Sequence, residues 1–329
     1  MIHINNLAFS YGKNEVLRNI SMDLEPGKIY GLLGENGVGK TTLLTLLCGL
    51  KKTQTGTIET DGRDPWKREP ALLQDQYYLP DEVAPINDKA ICWAKASGKF
   101  WPNFRLNTFE KILGEFEVNP TQKMNAMSAG QLKKTYIAFA LACGARFLYL
   151  DEPTNGLDIP SKAQFRSALM KYTAEDSTIV ISTHQVRDLE NIIDPIIILD
   201  RRDVLLNATI EQIADKLYFD YGTTLHPEAL YSEQLPGGFI QVLPNTEKAD
   251  SKVNIEALFN TVHMHKDLVK NLFNHEEHFR LQAFRELLPV RPAQREEHLR
   301  NQPAPLRHDA HPRLRLRPTP QPDFPAAFP

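Results

Sequence analysis

Residues 34–41 read Gly34-Glu35-Asn36-Gly37-Val38-Gly39-Lys40-Thr41, a full match to the pattern G-x-x-x-x-G-K-[ST]. This stretch restricts the fold more than any other, because it needs a strand to deliver it and a helix to receive it. Both neighbours read that way. Lys28 to Leu33 is a short apolar run suited to a strand, and Lys40 to Cys48 is an apolar helix. A strand–loop–helix unit of this kind belongs to a parallel α/β sheet.

The residue types explain the chemistry. A triphosphate needs many donors converging on a small volume. Glycines at 34, 37 and 39, with Asn36 between, let backbone N–H groups turn inward without a Cβ clash. A helix starting near Gly39 adds the positive end of its dipole. On this chemistry Lys40 reaches the β- and γ-phosphates, Thr41 ligates Mg²⁺ through its hydroxyl, and Thr42 is a second hydroxyl donor.

A second signal lies at Phe147-Leu148-Tyr149-Leu150-Asp151-Glu152, four apolar residues ending in two carboxylates. A buried strand carries Asp151 to the C-terminal edge of the sheet, where ligands of such folds bind. There it can hold Mg²⁺, directly or through water. By strand alternation Glu152 points the other way and meets the attacking water as a base.

Around these motifs the chain divides by pattern. Residues 2–9 and 16–24 read as strands joined by a turn at 11–14. From about Pro80 to Lys134 the apolar spacing is helical, an insert in the α/β domain. The parallel sheet resumes at Phe147–Leu150, Thr178–Ser182 and Ile196–Leu199, continuous apolar runs suited to strands covered on both faces. Between about Thr209 and Asn274 the pattern is mixed, with a strand at Gly238–Leu243 and a helix beginning at Ile255. From Phe284 ten prolines and eight arginines dominate, a composition that predicts a disordered tail.

Composition excludes several classes. The net charge of -3 argues against a nucleic-acid partner. The three cysteines, Cys48, Cys92 and Cys143, form no C-x-x-C pair, so reduced thiols are expected rather than a disulfide framework or a zinc site. No apolar run of about 18 residues suggests a membrane span, and the opening residues lack the basic flank and apolar stretch of a signal peptide. His3, His226, His263 and His265 read as solvated surface histidines, since His263 and His265 fall on opposite sides of a helix.

The order of further motifs decides between phosphate-loop families. Met127-Ser128-Ala129-Gly130-Gln131 lies just before an apolar helix and resembles the L-S-G-G-Q signature of the ATP-binding cassette (ABC) family. Asp151-Glu152-Pro153-Thr154-Asn155-Gly156-Leu157-Asp158 looks like that family's acidic strand and D-loop, and Ser182-Thr183-His184 like its switch histidine. The match runs over residues 1 to about 206.

The resemblance implies an α/β fold: a P-loop NTPase core with a mostly parallel sheet, an N-terminal antiparallel β portion and a helical signature subdomain. It places a nucleotide-binding domain at 1–208, with the helical subdomain at about 81–134. A small accessory segment follows at 209–283, then the Pro/Arg-rich tail at 284–329.

It also implies an export-type transporter ATPase that takes ATP and Mg²⁺. Its partners would be a second nucleotide-binding subunit, identical or not, and a separate transmembrane permease subunit, with no nucleic acid. The chain would then be cytoplasmic and peripheral on the inner face of the cell membrane. A soluble cassette ATPase acting on ribosomes or nucleic acid is the alternative.

By position, Tyr11 would stack on adenine, and His184 would contact the γ-phosphate and orient water with Glu152. Ser128 and Gly130, in the signature segment with Gln131, would contact ATP held by a second protomer, and Asp158 would sit at the dimer seam. Asp81 stands where the family usually has its Q-loop glutamine; it either holds water near Mg²⁺ or is a surface loop acid. Ala129 replaces a glycine and is tolerable if its φ is negative. The insert from Ala84 to Leu106 would dock the permease, with Trp93, Phe100, Trp101 and Phe104 as anchors or as core.

Overall fold

A computed structural model describes residues 1–200 and 202–274. The tail expected at 284–329, and the last residues of the accessory segment, lie outside the described residues.

Two long strands open the chain, β1 (Ile2–Tyr11) and β2 (Asn14–Leu24), paired antiparallel. Next come β3 (Ile29–Leu33) and helix α1 (Lys40–Leu47). Strand β4 (Thr55–Thr60) returns to pair with β1, giving an antiparallel sheet of order β2-β1-β4. The short helix α2 (Pro70–Leu73) leads to β5 (Gln76–Leu79).

Three helices follow: α3 (Ala90–Ser97), α4 (Leu106–Glu115) and α5 (Ala129–Ala142). Then come β6 (Phe147–Asp151), α6 (Ile159–Tyr172), β7 (Thr178–Thr183), β8 (Ile196–Asp200) and β9 (Asp203–Ala208). The six-stranded sheet has the order β5-β6-β7-β3-β8-β9, parallel except for β9 at its edge. The α/β class expected from the sequence is the one observed.

The sheet separates two cores, and strand alternation sorts the residues between them. Leu148 and Leu150 of β6 face the helical side, with Phe139 and Phe165; Phe147 and Tyr149 face α1 and the antiparallel sheet, with Leu44, Leu47 and Ile4. Burial on both faces is why β6, β7 and β8 read as unbroken apolar runs.

The helical side holds most of the aromatics. Phe139 of α5 is 1% exposed and lies 4.5 to 5.7 Å, centroid to centroid, from Trp93, Phe104, Trp101 and Tyr77. Of the four aromatics considered as docking anchors, Trp93, Trp101 and Phe104 therefore pack into the core, and only Phe100, 72% exposed, stands free.

Beyond β9, helix α7 (Ile210–Lys216) leads into β10 (Leu217–Gly222), β11 (Tyr231–Leu235) and β12 (Gly238–Pro244), an antiparallel sheet of order β10-β12-β11. Helices α8 (Ile255–Met264) and α9 (Lys266–Asn274) follow. The solvated reading of His263 and His265 is corrected here. His263 stacks on Phe259 at 4.1 Å and sits 3.7 Å from the buried carboxylate of Asp200, while His265 Nε2 lies 2.7 Å from the carbonyl of Leu230.

Candidate functional site

The site forms where β3, β6 and β7 end. After β3 the chain makes the Gly34–Thr41 loop and enters α1 through Gly39, whose φ of 116° lies in the left-handed region. A Cβ on Gly39 would also come within 3.0 Å of both Leu17 and Val16, so conformation and space each demand glycine. At Gly34 a Cβ would stand 2.6 Å from the carbonyl of Leu199. Asn36 and Gly37 are exposed at the tip of the loop. Lys40 is 6% exposed; its ammonium donates to the carbonyls of Gly34 at 2.7 Å and Glu35 at 3.2 Å, inside the concave side of the loop.

Asp151, the last residue of β6, is 2% exposed. Thr41 donates to its Oδ2 at 2.6 Å and the Tyr78 hydroxyl to the same oxygen at 3.3 Å, while Ser182 of β7 donates to Oδ1. Burial beside this carboxylate pushes the Tyr78 phenol well above its ordinary range, so it stays a donor.

Glu152 corrects the alternation argument. Strand β6 stops at Asp151, and Glu152 turns with φ of 44°, an unusual value for a side-chain-bearing residue. Its N–H donates to both the carbonyl and the hydroxyl of Ser182, each at 3.1 Å, which holds the turn. The turn, not the strand pleat, aims the carboxylate. Its Oε1 lies 3.0 Å from His184 Nδ1 and 3.4 Å from Lys40 Nζ, and the His184 N–H donates to Oε2 at 3.4 Å. Oε1 thus faces both the Lys40 ammonium and the His184 ring at the buried end of the site. Lys40, Thr41, Asp151, Glu152 and His184 are thus brought together.

The other expected residues fall around this centre. Tyr11 is 47% exposed at the tip of β1; its hydroxyl lies 3.3 Å from Thr42 Oγ1 and Lys51 sits over its ring at 5.0 Å. Ser128 caps α5 in a reciprocal capping box with Gln131, so the signature segment is a helix start. Ala129 lies in the first turn with negative φ, which is why a methyl is accepted there. Gly130 is close to Gly156, since a Cβ added to it would reach that carbonyl at 3.8 Å. Asp158 caps α6, and hydrogen bonds from Ser161 hold its carboxyl below the ordinary range.

Among the described residues no hydrogen bond or ion pair joins Ser128, Gly130 or Gln131 to the Gly34–Thr41 loop. Asp81 is bound elsewhere: Lys133 pairs with it at 3.5 Å and Asn155 donates to it at 3.1 Å. Tyr78 and Ser182 escaped the sequence reading. The cue for Ser182 was its place beside Thr183-His184; Tyr78 had none, since an aromatic in a short strand reads as core.

The family model for ABC transporters matches residues 17–155. The ABC transporter ATP-binding protein YtrB of Bacillus subtilis is 30% identical over 219 residues, covering 66% of this chain and 74% of that one. The chain belongs to the ABC transporter ATP-binding proteins. It is therefore the ATP-binding, ATP-hydrolysing subunit of such a transporter.

A second ABC relative, the lantibiotic transport ATP-binding protein SrtF of Streptococcus pyogenes, is 31% identical over 59% of this chain and 84% of its own length. A dimeric bacterial ABC transporter cassette shares the fold with a TM-score of 0.57 at 22% identity, covering 64% of this chain and 98% of that one. Among the described residues no helix of this ABC subunit is long and apolar enough to cross a membrane.

Proposed function

We propose that this ABC subunit hydrolyses Mg·ATP sandwiched between two cassettes and so drives an export-type permease from the inner face of the cell membrane. The observation that carries the reading is the contiguity of Lys40, Thr41, Asp151, Glu152 and His184 at one edge of the sheet. The SrtF relative, a lantibiotic transport protein, supports a part in transport.

The donor set fits Mg²⁺. Thr41 offers a hydroxyl and Asp151 a carboxylate, 2.6 Å apart. Mg²⁺ takes few protein oxygens and completes its shell with water and phosphate. When bound, it neutralises charge on the β- and γ-phosphates.

This chain's own residues do the rest. The loop N–H groups and Lys40 hold the phosphates, and Tyr11 stacks on the base. Glu152 accepts a proton from the attacking water through its carboxylate. His184, 3.0 Å away, keeps that carboxylate and the water aligned with the γ-phosphate. Ser128 and Gly130 at the start of α5 contact the γ-phosphate of ATP on the opposite cassette, and Asp158 lies at the seam. ATP favours the closed dimer because only that state offers both sets of donors.

The permease docks in a groove of about 480 Å³ lined by Leu73, Gln74, Tyr77, Tyr78, Trp101 and the exposed Phe100. This moves the docking surface from the Ala84–Leu106 insert alone to the seam between that insert and β5. The occupant is a segment of the permease subunit, to which the apolar floor and the free Phe100 ring are suited. Co-purification tests it. Phe100→Asp is expected to release the subunit from membranes that hold the permease while leaving hydrolysis by the free chain intact. Retention of Phe100→Asp on the permease overturns the docking site, and sedimentation with ribosomes overturns the transporter reading.

A further inference from the structure

Helix α8 reaches the segment that carries the switch histidine. Immediately after His184 the chain forms a short turn, Val186–Asp188. Arg187 of this turn meets Glu256 in the first turn of α8, with Nε at 2.6 Å and Nη2 at 2.5 Å from one carboxylate oxygen. The same turn is held from its other side by α6: Lys162 pairs with Asp188 at 2.7 Å and donates to Gln185, and Arg166 donates to the Asp188 carbonyl.

Helix α8 is itself fixed. Asn254 caps it and donates to the Tyr221 hydroxyl, and Asn260 donates to Tyr231. Beyond its C-terminal end Lys266 pairs with the buried Asp200 at the end of β8. An α-helix of ten residues spans ~15 Å. The helix is thus anchored to the main sheet at one end and presents Glu256 to the switch turn at the other.

We propose that Glu256 is a positioning residue for hydrolysis: through Arg187 it holds the switch turn so that His184 keeps its place beside Glu152. This gives the segment after β9 a part in the reaction, and it rests on the role of His184 proposed above. The pair is exposed, Arg187 side chain at 80% and Glu256 at 45%, so its contribution is modest and screened by salt.

The test uses the full chain with Mg·ATP. Glu256→Gln and Arg187→Gln are each expected to lower kcat about 2- to 5-fold, with KM and melting temperature unchanged. The exchange Arg187→Glu/Glu256→Arg restores the rate, and ~0.5 M salt closes the gap between variants and wild type. In a His184→Ala background Glu256→Gln adds nothing further, the sign of a shared route.

Wild-type kcat in both single variants, or an undiminished Glu256→Gln effect when His184 is absent, overturns the proposal. A lowered melting temperature with no rescue by the exchange also overturns it, since the pair would then serve only the fold. A His184→Ala chain with wild-type kcat overturns the histidine's role instead, which keeps the two failures apart.

Discussion

Thr41 Oγ1 donates to Asp151 Oδ2 at 2.6 Å, joining the first turn of α1 to the last residue of β6 across 110 positions of sequence. The contact ties the phosphate loop to the acidic strand end and sets two hard oxygens side by side. Thr41→Ala and Asp151→Asn are each expected to lower Mg²⁺-dependent hydrolysis roughly 100-fold, about 2.7 kcal/mol of lost charge stabilisation, with Thr41→Ser near wild type. Rates measured against Mg²⁺ concentration check this. Equal activity of Thr41→Ala and wild type at limiting Mg²⁺ would remove Thr41 from the metal site.

Asp81 and Lys133 make a second pair whose worth depends on pH. Burial holds the Lys133 ammonium below the usual lysine range, while Asp81 pulls it back up. In Asp81→Asn that counter-charge is gone and the folded-state value falls further. The cost is present while the folded ammonium is charged, and it fades as pH rises and the amine becomes neutral. Asp81 is 40% exposed on its side chain and Lys133 keeps the Pro80 and Asp81 carbonyls. The expected loss at pH 7 is therefore only about 1–2 kcal/mol, vanishing above the unfolded lysine value of ~10.4. Urea denaturation at two pH values measures it; a loss that grows with pH contradicts it.

Phe139 is the hub of the aromatic cluster that fixes the helical side to β5. Phe139→Ala should cost about 3–5 kcal/mol, because five rings around the cavity cannot all collapse into it. Thermal or chemical denaturation reads this directly. A loss under about 1 kcal/mol would mean the cluster repacks freely.

The backbone of this account was readable because its residues signal strongly on their own. The Gly34–Thr41 loop has a fixed pattern, and β6, β7 and β8 are buried on both faces and so read as plain apolar runs. Two short strands with little buried surface, β4 and β11, did not announce themselves. In β4 only Ile58 and Thr60 are buried, and β11 is exposed along most of its length. The amphipathic signal of α6 is weak for the same reason: its sequence mixes Ile159, 84% exposed, and Met170, 61% exposed, with charged residues.

The site errors have a different origin. Residue type gives no sign of the left-handed turn at Glu152, which depends on Ser182 from another strand. Nor does it show that Trp93, Trp101 and Phe104 converge on Phe139 rather than on a partner.

Thiol chemistry offers an independent check of packing. Burial pushes the Cys48 thiol up to about 11 and Cys143 well above its ordinary range, whereas Cys92 is exposed on α3. At pH 8 the native chain should react with one equivalent of a disulfide reagent, and the unfolded chain with three, the number in the sequence. Fast reaction of a second thiol in the native chain would place Cys48 or Cys143 at the surface.

The central claim is that ATP itself joins two cassettes through the groups around Glu152. The direct measurement is the mass of Glu152→Gln in solution with and without Mg·ATP, since glutamine keeps the shape but cannot take the proton. The account predicts a monomer alone and a dimer with Mg·ATP, returned to monomer by adding Ser128→Arg. A chain that binds Mg·ATP yet stays monomeric would contradict it.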